Sequence, residues 1–328
     1  MSGRSLLYKK GIKRTNRLPA KVISIGNLTL GGTGKTPAVI AMAQHAKNLG
    51  FKPCVLTRGY KGKTKRPCFA AKDSKQLLST YHAGDEAVLM AYRLKETPVV
   101  TGKNRFLAGI YALGELGINS INIFILDDGF QHRALYRDIN ILLIDASNPF
   151  GNGKLFPEGI LREPLDSMKR ADIIVITKTD MASKESLSAT KLKIKQFNPH
   201  APVYTASHVP TSLINTKGEA GNFDILHNRK VYAFAGIANP DYFKKILTLQ
   251  GADILEFKTF RDHYHYSQRD INKILKEAGQ LDIVTTEKDF VKLRELKLSD
   301  NIFALRIDFS VDDAFYNHIF DILLKKNV

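Results

Sequence analysis

The sequence predicts an α/β fold, with a mainly parallel sheet flanked by helices and a second, smaller α/β domain. Short apolar runs alternate with stretches of helical periodicity, a pattern typical of βαβ units. Several runs are apolar throughout, as expected for strands that are buried on both faces of a sheet. The chain has 328 residues, of which 44% are hydrophobic, and this is enough for a large core or two domains.

The strands of the first domain are predicted from apolar runs, and the helices from the patterns between them. The predicted strands are residues 22–25, 53–57, 97–100, 121–126, 140–144 and 173–177. The predicted helices are residues 37–49, 85–94 and 105–116. Gly50 and Gly117 directly follow two of these helices, where glycine commonly ends a helix.

A second alternation begins after about residue 205. It predicts strands at 231–235, 254–257 and 283–285 and helices at 240–249 and 267–278. The runs 202–206 and 302–309 flank this unit and are expected to pair as a linker, which would return a last helix, 312–325, to the first domain. The predicted domains are a basic N-terminal segment (1–20), a first and larger α/β domain (21–205), a smaller α/β domain (206–301) and a linker strand with the C-terminal helix (302–328).

The composition restricts the classes of function. Two cysteines are too few for a disulfide framework and suggest a reducing compartment. The net charge of +17 fits nucleic acid, an anionic membrane surface or a phosphorylated substrate, and a lysine-rich solvated surface fits equally well. Residues 1–20 are the densest basic stretch, and they fit either an amphipathic interfacial helix or a disordered basic arm.

The most specific motif lies between the first predicted strand and the first predicted helix. Glycines there let backbone N–H groups point at an anion, and the helix N-terminus adds positive charge. Lys35 can reach the β- and γ-phosphates, and the Thr36 hydroxyl can hold Mg²⁺. The strict pattern has glycine where this chain has Thr29, a difference that the Gly31–Gly32 pair can offset. The predicted nucleotide-binding residues are Thr29, Leu30, Gly31, Gly32, Thr33, Gly34, Lys35 and Thr36.

Carboxylates at two other places fit a phosphate-binding loop. Asp127 and Asp128 end an apolar strand and are expected to complete the Mg²⁺ shell beside Thr36. Asp85 opens a predicted helix, where capping is the more common role and proton acceptance is the functional one. His263 and His265 suggest a metal site, but no third ligand lies nearby in the sequence, and a pairing of a histidine with an acid from the other domain is preferred.

Two further segments leave alternatives open. Residues 177–180, Thr-Lys-Thr-Asp, resemble a GTPase base-reading motif but lack its leading asparagine. A cluster of cations follows the second strand and fits either an anionic substrate or a solvated loop. These cations are Arg58, Lys61, Lys63, Lys65 and Arg66.

Taken together, these segments resemble the tetraacyldisaccharide 4′-kinase (lipid A 4′-kinase) family over about residues 21–290. The resemblance rests on the loop Gly-Gly-Thr-Gly-Lys-Thr-Pro (31–37) after Ile-Gly-Asn (25–27), on Leu-Thr-Arg-Gly-Tyr (56–60), and on Gly-Asp-Glu (84–86). It continues with Leu-Asp-Asp-Gly-Phe-Gln-His (126–132), Asn-Pro-Phe-Gly (148–151), Pro157, Leu-Arg-Glu-Pro (161–164), Asp-His (262–263) and Thr-Thr-Glu-Lys-Asp (285–289).

The resemblance implies transfer of the γ-phosphate of MgATP to the 4′-hydroxyl of a tetraacylated diglucosamine 1-phosphate. It implies that residues 21–205 form a P-loop kinase domain and that residues 1–20 are a membrane-proximal segment. It also implies that Asp85 is the catalytic acid–base partner of His263 and that Lys35 binds the phosphates. It also implies a peripheral location on the cytoplasmic face of the inner membrane, where the partners are the lipid A precursor and the anionic membrane surface. The implied substrate-side residues are Arg58, Tyr60, Gln131, His132, Arg162 and Glu163.

Two rival functions follow from the same residues. A nucleotide-switch ATPase of the partitioning or metallochaperone type has a similar loop, and residues 177–180 are weak evidence for it. A nucleic-acid-binding protein would account for the net charge, but the aromatic residues are not interleaved with the basic ones as a stacking platform requires. We therefore expect no nucleic-acid partner and no obligate protein partner.

Overall fold

The computed structural model describes residues 14–71 and 77–325 of the chain. Residues 1–13 of the basic segment predicted over residues 1–20 therefore lie outside the described residues. From residue 21 onward strands and helices alternate, and most neighbouring strands are parallel. The α/β class predicted from the sequence is confirmed, whereas the predicted domain boundaries stay predictions.

The N-terminal part of the fold contains the first seven strands of the sheet. They are β1 (Lys21–Asn27), β2 (Pro53–Thr57), β3 (Cys68–Ala71), β4 (Val99–Thr101), β5 (Ile123–Leu126), β6 (Ile139–Asp145) and β7 (Ile173–Thr177). The helices between and after them are α1 (Lys35–Asn48), α2 (Thr80–Ala83), α3 (Asp85–Leu94), α4 (Arg105–Leu116) and α5 (Lys184–Phe197).

The C-terminal part repeats the alternation on a smaller scale. Its strands are β8 (Val203–Ile214), β9 (Ala220–Gly221), β10 (Lys230–Ala235), β11 (Asp253–Thr259), β12 (Asp282–Thr286) and β13 (Ile302–Val311). Its helices are α6 (Pro240–Leu249), α7 (Gln268–Ala278), α8 (Glu287–Leu293) and α9 (Asp313–Lys325). Short 3-10 turns occur at Ile118–Ser120, Leu165–Arg170, Thr179–Met181 and Phe223–Leu226.

One mixed sheet runs through the part of the chain that the structure describes. Its strand order is β11-β10-β12-β13-β8-β7-β6-β1-β5-β2-β4-β3, and β9 pairs beside β8. Within this sheet, β3 with β4, β13 with β8 and β9 with β8 are the antiparallel pairs. Since the other pairs are parallel, the carboxyl ends of β1, β5, β6 and β7 meet at one edge, which is where ligands bind in such sheets.

Strand β8 joins the two parts of the sheet. Residues 203–205 pair in parallel with β7, and residues 206–214 pair antiparallel with β13. After β13 the chain turns into α9, which packs against α1 on one face of the sheet, where the His45 ring stacks on the Tyr316 ring with centroids 4.1 Å apart. Helix α4 covers the opposite face with Ala108 and Ala112.

Among the elements that the sequence did not predict, α5, β3 and α8 each have a physical reason for having been missed. Helix α5 buries only Thr190 and Ile194, so it shows no wide apolar stripe. Strand β3 is four residues long and lies at the sheet edge. Helix α8 follows β12 without a connecting turn, and its N-cap, Thr286, is the last residue of that strand.

A buried ionic network joins α3 to the C-terminal part of the fold. Arg93 Nη1 donates to Glu287 Oε2 at 2.8 Å, and both side chains are only 8% exposed. Arg306 Nε donates to the other oxygen, Glu287 Oε1, at 3.0 Å, and Arg93 also pairs with Asp308. Because desolvated charges need their partners, this network fixes α3 against α8.

We expect Glu287→Gln to lower the free energy of unfolding by about 2 kcal/mol, since it leaves the buried Arg93 with one carboxylate in place of two. Urea denaturation followed by circular dichroism measures the loss. Glu96→Gln is the matched control, because Glu96 pairs with Lys47 on the surface, where solvent screens the pair and its removal should cost much less. Equal losses in the two variants would contradict the assignment of a stabilising role to the network.

Candidate active site

The phosphate-binding loop connects β1 to α1, which begins at Lys35. The backbone has a left-handed φ of 109° at Gly31 and of 80° at Gly34, and glycine adopts such angles without strain. A side chain at Gly34 would also collide with His208, whose Nε2 lies 2.3 Å from the position of a Cβ atom. Thr29 has no left-handed φ, so the glycine of the strict pattern is not needed there.

Two residues at the end of β7 hold the loop by its carbonyl oxygens. Thr177 Oγ1 donates to the Thr33 carbonyl at 3.0 Å, and Lys178 Nζ donates to the Gly32 carbonyl at 2.6 Å. Lys178 is buried and forms an ion pair with Asp145 at the end of β6. These bonds fix the shape of the loop, which leads the chain into the first turn of α1, where free N–H groups attract an anion.

Lys35 lies among polar groups at the carboxyl edge of the sheet. Its Nζ donates to Asn27 Oδ1 at 3.2 Å and lies 3.6 Å from Asp128 Oδ1. Arg162 Nη1 donates to both oxygens of Asp128, at 2.8 and 2.9 Å. Burial alone would raise the pKa of Asp128, but the charges of Lys35 and Arg162 outweigh it and lower the pKa. Asp128 therefore carries its charge between two cations.

Asp127 has a different environment. Thr57 Oγ1 donates to its Oδ2 at 2.7 Å, whereas its Oδ1 is buried and has no hydrogen-bond partner. Burial and the nearby charges of Glu86 and Asp128 raise the pKa of Asp127 to about 7. A buried carboxylate oxygen without a partner fits a bound cation, which would supply the missing charge.

The residues at this edge fit Mg²⁺ that is bound together with a nucleotide. Mg²⁺ commonly takes one or two protein oxygens and completes its shell with phosphate oxygens and water. Asp127 Oδ1 and the Thr36 hydroxyl are the protein oxygens that would hold it. No group of three or more His, Cys, Asp or Glu residues able to hold a metal occurs within residues 14–71 and 77–325.

Asp85, the first residue of α3, contacts a histidine from the loop between β11 and α7. His263 Nδ1 lies 2.7 Å from Asp85 Oδ2 and 2.9 Å from Oδ1, and the two side chains are only 10% and 5% exposed. His263 has a left-handed φ of 60°, which is uncommon for a residue other than glycine. Because the two residues are far apart in the chain, the contact depends on the whole fold.

The Asp85–His263 pair is surrounded by charged and aromatic groups. Lys288 Nζ lies 3.9 Å from Asp85 Oδ2, 3.5 Å from His263 Nε2 and 3.3 Å from Asp262 Oδ1. Burial alone would raise the pKa of Asp85, but the hydrogen bond from His263 and the charge of Lys288 outweigh it and lower the pKa. The Tyr60 ring lies beside His263, with centroids 5.2 Å apart.

The structure brings some of the predicted substrate-side residues to these two clusters and leaves others apart. Gln131 Nε2 donates to the Asn27 carbonyl at 2.8 Å, beside the phosphate-binding loop. Arg162 donates to Asp128, and the Tyr60 ring packs beside the His263 ring. Arg58, in contrast, is exposed to solvent. Glu163 is buried and its carboxylate pairs with Arg170. The assignment of all these residues to the substrate side stays a prediction.

Several residues of the site were missed by the sequence analysis. Arg105 is buried at the start of α4 and donates to the Asp127 carbonyl at 3.3 Å, but no motif marks it. Lys288 lies within the motif 285–289, which gave no role for it. Thr177 and Lys178 were noted for a base-reading motif, whereas here their side chains bind the phosphate loop. A search for polar residues at every strand end of the parallel sheet would have found these two.

A family model described as Tetraacyldisaccharide-1-P 4'-kinase matches residues 1–324 of the chain. The chain belongs to this family. Two relatives with the name Tetraacyldisaccharide 4'-kinase illustrate the similarity. The protein from Syntrophus aciditrophicus is 42% identical over 306 residues, which cover 90% of this chain and 81% of that protein. The protein from Desulfotalea psychrophila is 39% identical over 298 residues, which cover 89% and 84%.

A solved structure of another family member has the same fold. The crystal structure of LpxK from Aquifex aeolicus, in complex with ATP, is 35% identical in sequence and superposes with a TM-score of 0.78. The match covers 97% of this chain and 93% of that one. The tetraacyldisaccharide 4′-kinase resemblance predicted from the sequence is thus confirmed, and the alternative of a nucleotide-switch ATPase is not favoured. Among the helices of residues 14–71 and 77–325, none has the length and apolar character needed to cross a membrane.

We expect Thr177→Val to weaken ATP binding about fivefold, because the near-isosteric change removes the hydrogen bond to the Thr33 carbonyl and leaves that carbonyl unpaired. Isothermal titration with ATP measures the change. Thr179→Val is the matched control, since Thr179 Oγ1 donates to the Ala206 carbonyl and not to the phosphate-binding loop. The same loss of affinity in both variants would show that Thr177 has no specific effect on the loop.

Proposed function

We propose that the chain transfers the γ-phosphate of ATP to the 4′-hydroxyl of a tetraacyldisaccharide 1-phosphate, the reaction that the name of its family describes. The observation that carries the proposal is the Asp85–His263 contact at 2.7 Å. This pair lies on the same side of the fold as Asp127, because, after burial, the charge of Glu86, next to Asp85, is the largest influence that raises the pKa of Asp127. A proton acceptor beside a bound nucleotide is what transfer to a hydroxyl requires.

The nucleotide end of the reaction depends on the loop and on Lys35. The N–H groups at the start of α1 and the Lys35 ammonium bind the phosphates of ATP. Arg162 is close enough to Lys35, through Asp128, to add a second cation at the transferred group. Asp127 and Thr36 would hold Mg²⁺, which would supply further positive charge to neutralise the phosphates.

The acceptor end depends on Asp85. The oxygen of the 4′-hydroxyl forms a bond to the γ-phosphorus, the bond from that phosphorus to the β–γ bridging oxygen breaks, and ADP leaves. The hydroxyl proton goes to the Asp85 carboxylate. The hydrogen bond between His263 Nδ1 and that carboxylate orients the carboxylate, so the main role of His263 is to position Asp85. Tyr60, Gln131, His132, Arg58 and Glu163 are proposed to line the acceptor side.

The acyl chains of the acceptor require the enzyme to work at a membrane. We propose a peripheral location on the cytoplasmic face of the inner membrane, with the net charge of +17 as the attraction to an anionic leaflet. Cations near such a surface contribute about 1 kcal/mol each. Binding to vesicles with and without anionic lipid tests this location.

The reaction itself is tested by incubating the protein with ATP labelled at the γ-phosphate and the lipid A disaccharide precursor in detergent micelles. Labelled lipid is the expected product. Label that appears only as free phosphate, and only when a protein partner is added, would support the nucleotide-switch ATPase in its place.

Asp85→Asn should lower kcat by about 10² to 10⁴, because the amide cannot accept the hydroxyl proton while its size is unchanged. The KM for ATP should change by less than about threefold, since Asp85 makes no contact with the phosphate-binding loop. Steady-state kinetics with varied ATP measures both constants. Turnover near that of the unchanged enzyme would refute the assignment of Asp85 as the base.

Lys288→Met should move the acidic limb of the pH profile of kcat/KM to higher pH. Asp85 accepts a proton only when ionised, so activity falls as the pH drops through its pKa. The charges facing it are His263, Lys288, Lys292, Glu86 and Asp262, and loss of the Lys288 cation raises the pKa of Asp85. Lys288→Arg keeps the charge and should keep the limb in place, and a limb that is the same in all three enzymes would contradict the prediction.

A further inference from the structure

The loop that follows β2 carries a dense group of cations with no assigned function. Within residues 61–66, which we call the basic loop, Lys61, Lys63, Lys65 and Arg66 are all exposed. In the described part of the chain, Lys63, Lys65 and Arg66 form no ion pair with a carboxylate. Like charges so close together repel one another, and a bound anion would relieve that repulsion.

The basic loop has a defined shape. The Gly62 amide donates to the Gly59 carbonyl at 3.0 Å, and the Lys63 amide donates to the Tyr81 carbonyl at 3.1 Å. Thr64 Oγ1 donates to the His82 carbonyl at 3.0 Å, and a Cβ atom on Gly62 would lie only 2.6 Å from that same oxygen. These contacts with α2 hold the cations in place on the fold.

The basic loop begins beside the proposed proton acceptor. Tyr60, the residue before the loop, packs its ring on His263, and Lys61 Nζ donates to the Asp262 carbonyl at 3.4 Å. Three extended residues span at most about 11 Å, so Lys63 can be no farther than this from Tyr60. An acceptor of two linked sugar rings with one end at His263 is therefore long enough to reach Lys63.

We propose that Lys63, Lys65 and Arg66 bind the 1-phosphate of the acceptor while Asp85 faces its 4′-hydroxyl. The inference rests on the proposed function, in which the acceptor has a 4′-hydroxyl at one end and a 1-phosphate at the other. A phosphate monoester carries up to two negative charges and offers three acceptor oxygens, which suit a group of lysine and arginine donors. The basic loop then binds the acceptor at the end opposite its 4′-hydroxyl and favours the form that carries the 1-phosphate.

The test compares two acceptors in neutral detergent micelles, the tetraacyldisaccharide with a 1-phosphate and the same lipid with a free 1-hydroxyl. The loop variant is Lys63→Gln/Lys65→Gln/Arg66→Gln. The control variant is Lys191→Gln/Lys193→Gln/Lys195→Gln, which removes three exposed charges from α5. The measured quantity is the ratio of kcat/KM for the two acceptors, which cancels losses that affect both equally.

The unchanged enzyme and the control variant should prefer the 1-phosphate acceptor by at least about tenfold, the worth of a charge-assisted hydrogen bond. The loop variant should show a ratio close to one. An unchanged ratio in the loop variant, or no preference in the unchanged enzyme, would overturn the proposal. Losses seen only on anionic vesicles would also overturn it and assign the cations to lipid headgroups. If the unchanged enzyme phosphorylates neither acceptor, the proposed function itself fails.

Discussion

Strand β8 is the constraint on which the rest of the structure depends. Its backbone pairs with β7 at one end and with β13 over the remainder, so it belongs to both parts of the sheet. Buried N–H and C=O groups must be paired, which leaves little freedom in how the C-terminal strands are placed. The same strand carries His208, which packs on Gly34 of the phosphate-binding loop. The position of the His263 loop relative to α3 follows from this arrangement.

The distribution of charge at the carboxyl edge of the sheet fits a nucleotide that is bound with its metal. Asp128 and Asp145 are each neutralised by a lysine or arginine side chain, at Lys35, Arg162 and Lys178. Asp127 lacks such a partner at Oδ1, and burial together with the charges of Glu86 and Asp128 raises its pKa to about 7. A cation at this oxygen restores the balance, while Lys35 and Arg162 remain available to share their charge with phosphates. Phosphates and metal therefore complement different parts of one edge.

The sequence was most informative where structure is local. The apolar strands, the glycine loop and Lys35 can each be recognised from a short continuous segment of sequence. The structure has strands and helices at these segments. Helix α5 was missed because its surface is almost wholly polar. The support of the loop by Thr177, and the contact of Lys288 with the Asp85–His263 pair, arise from strands and helices that meet only in the folded chain. The position of Thr177 at a strand end marks it as a candidate, but no spacing rule names the partner of either contact.

Asp85 shows how a local and a long-range role can belong to one residue. At the start of α3 its Oδ1 accepts from the Glu86 amide at 3.0 Å, which is the helix-terminal role that spacing alone favours. The fold adds His263 and Lys288, which also stabilise the negative charge and lower the pKa of the carboxylate. A carboxylate stabilised in this way is a weak base, so in the proposed phosphoryl transfer proton acceptance by Asp85 would supply only part of the rate. The larger part then comes from holding the hydroxyl in line with a charge-neutralised phosphate, which is the common pattern in phosphoryl transfer.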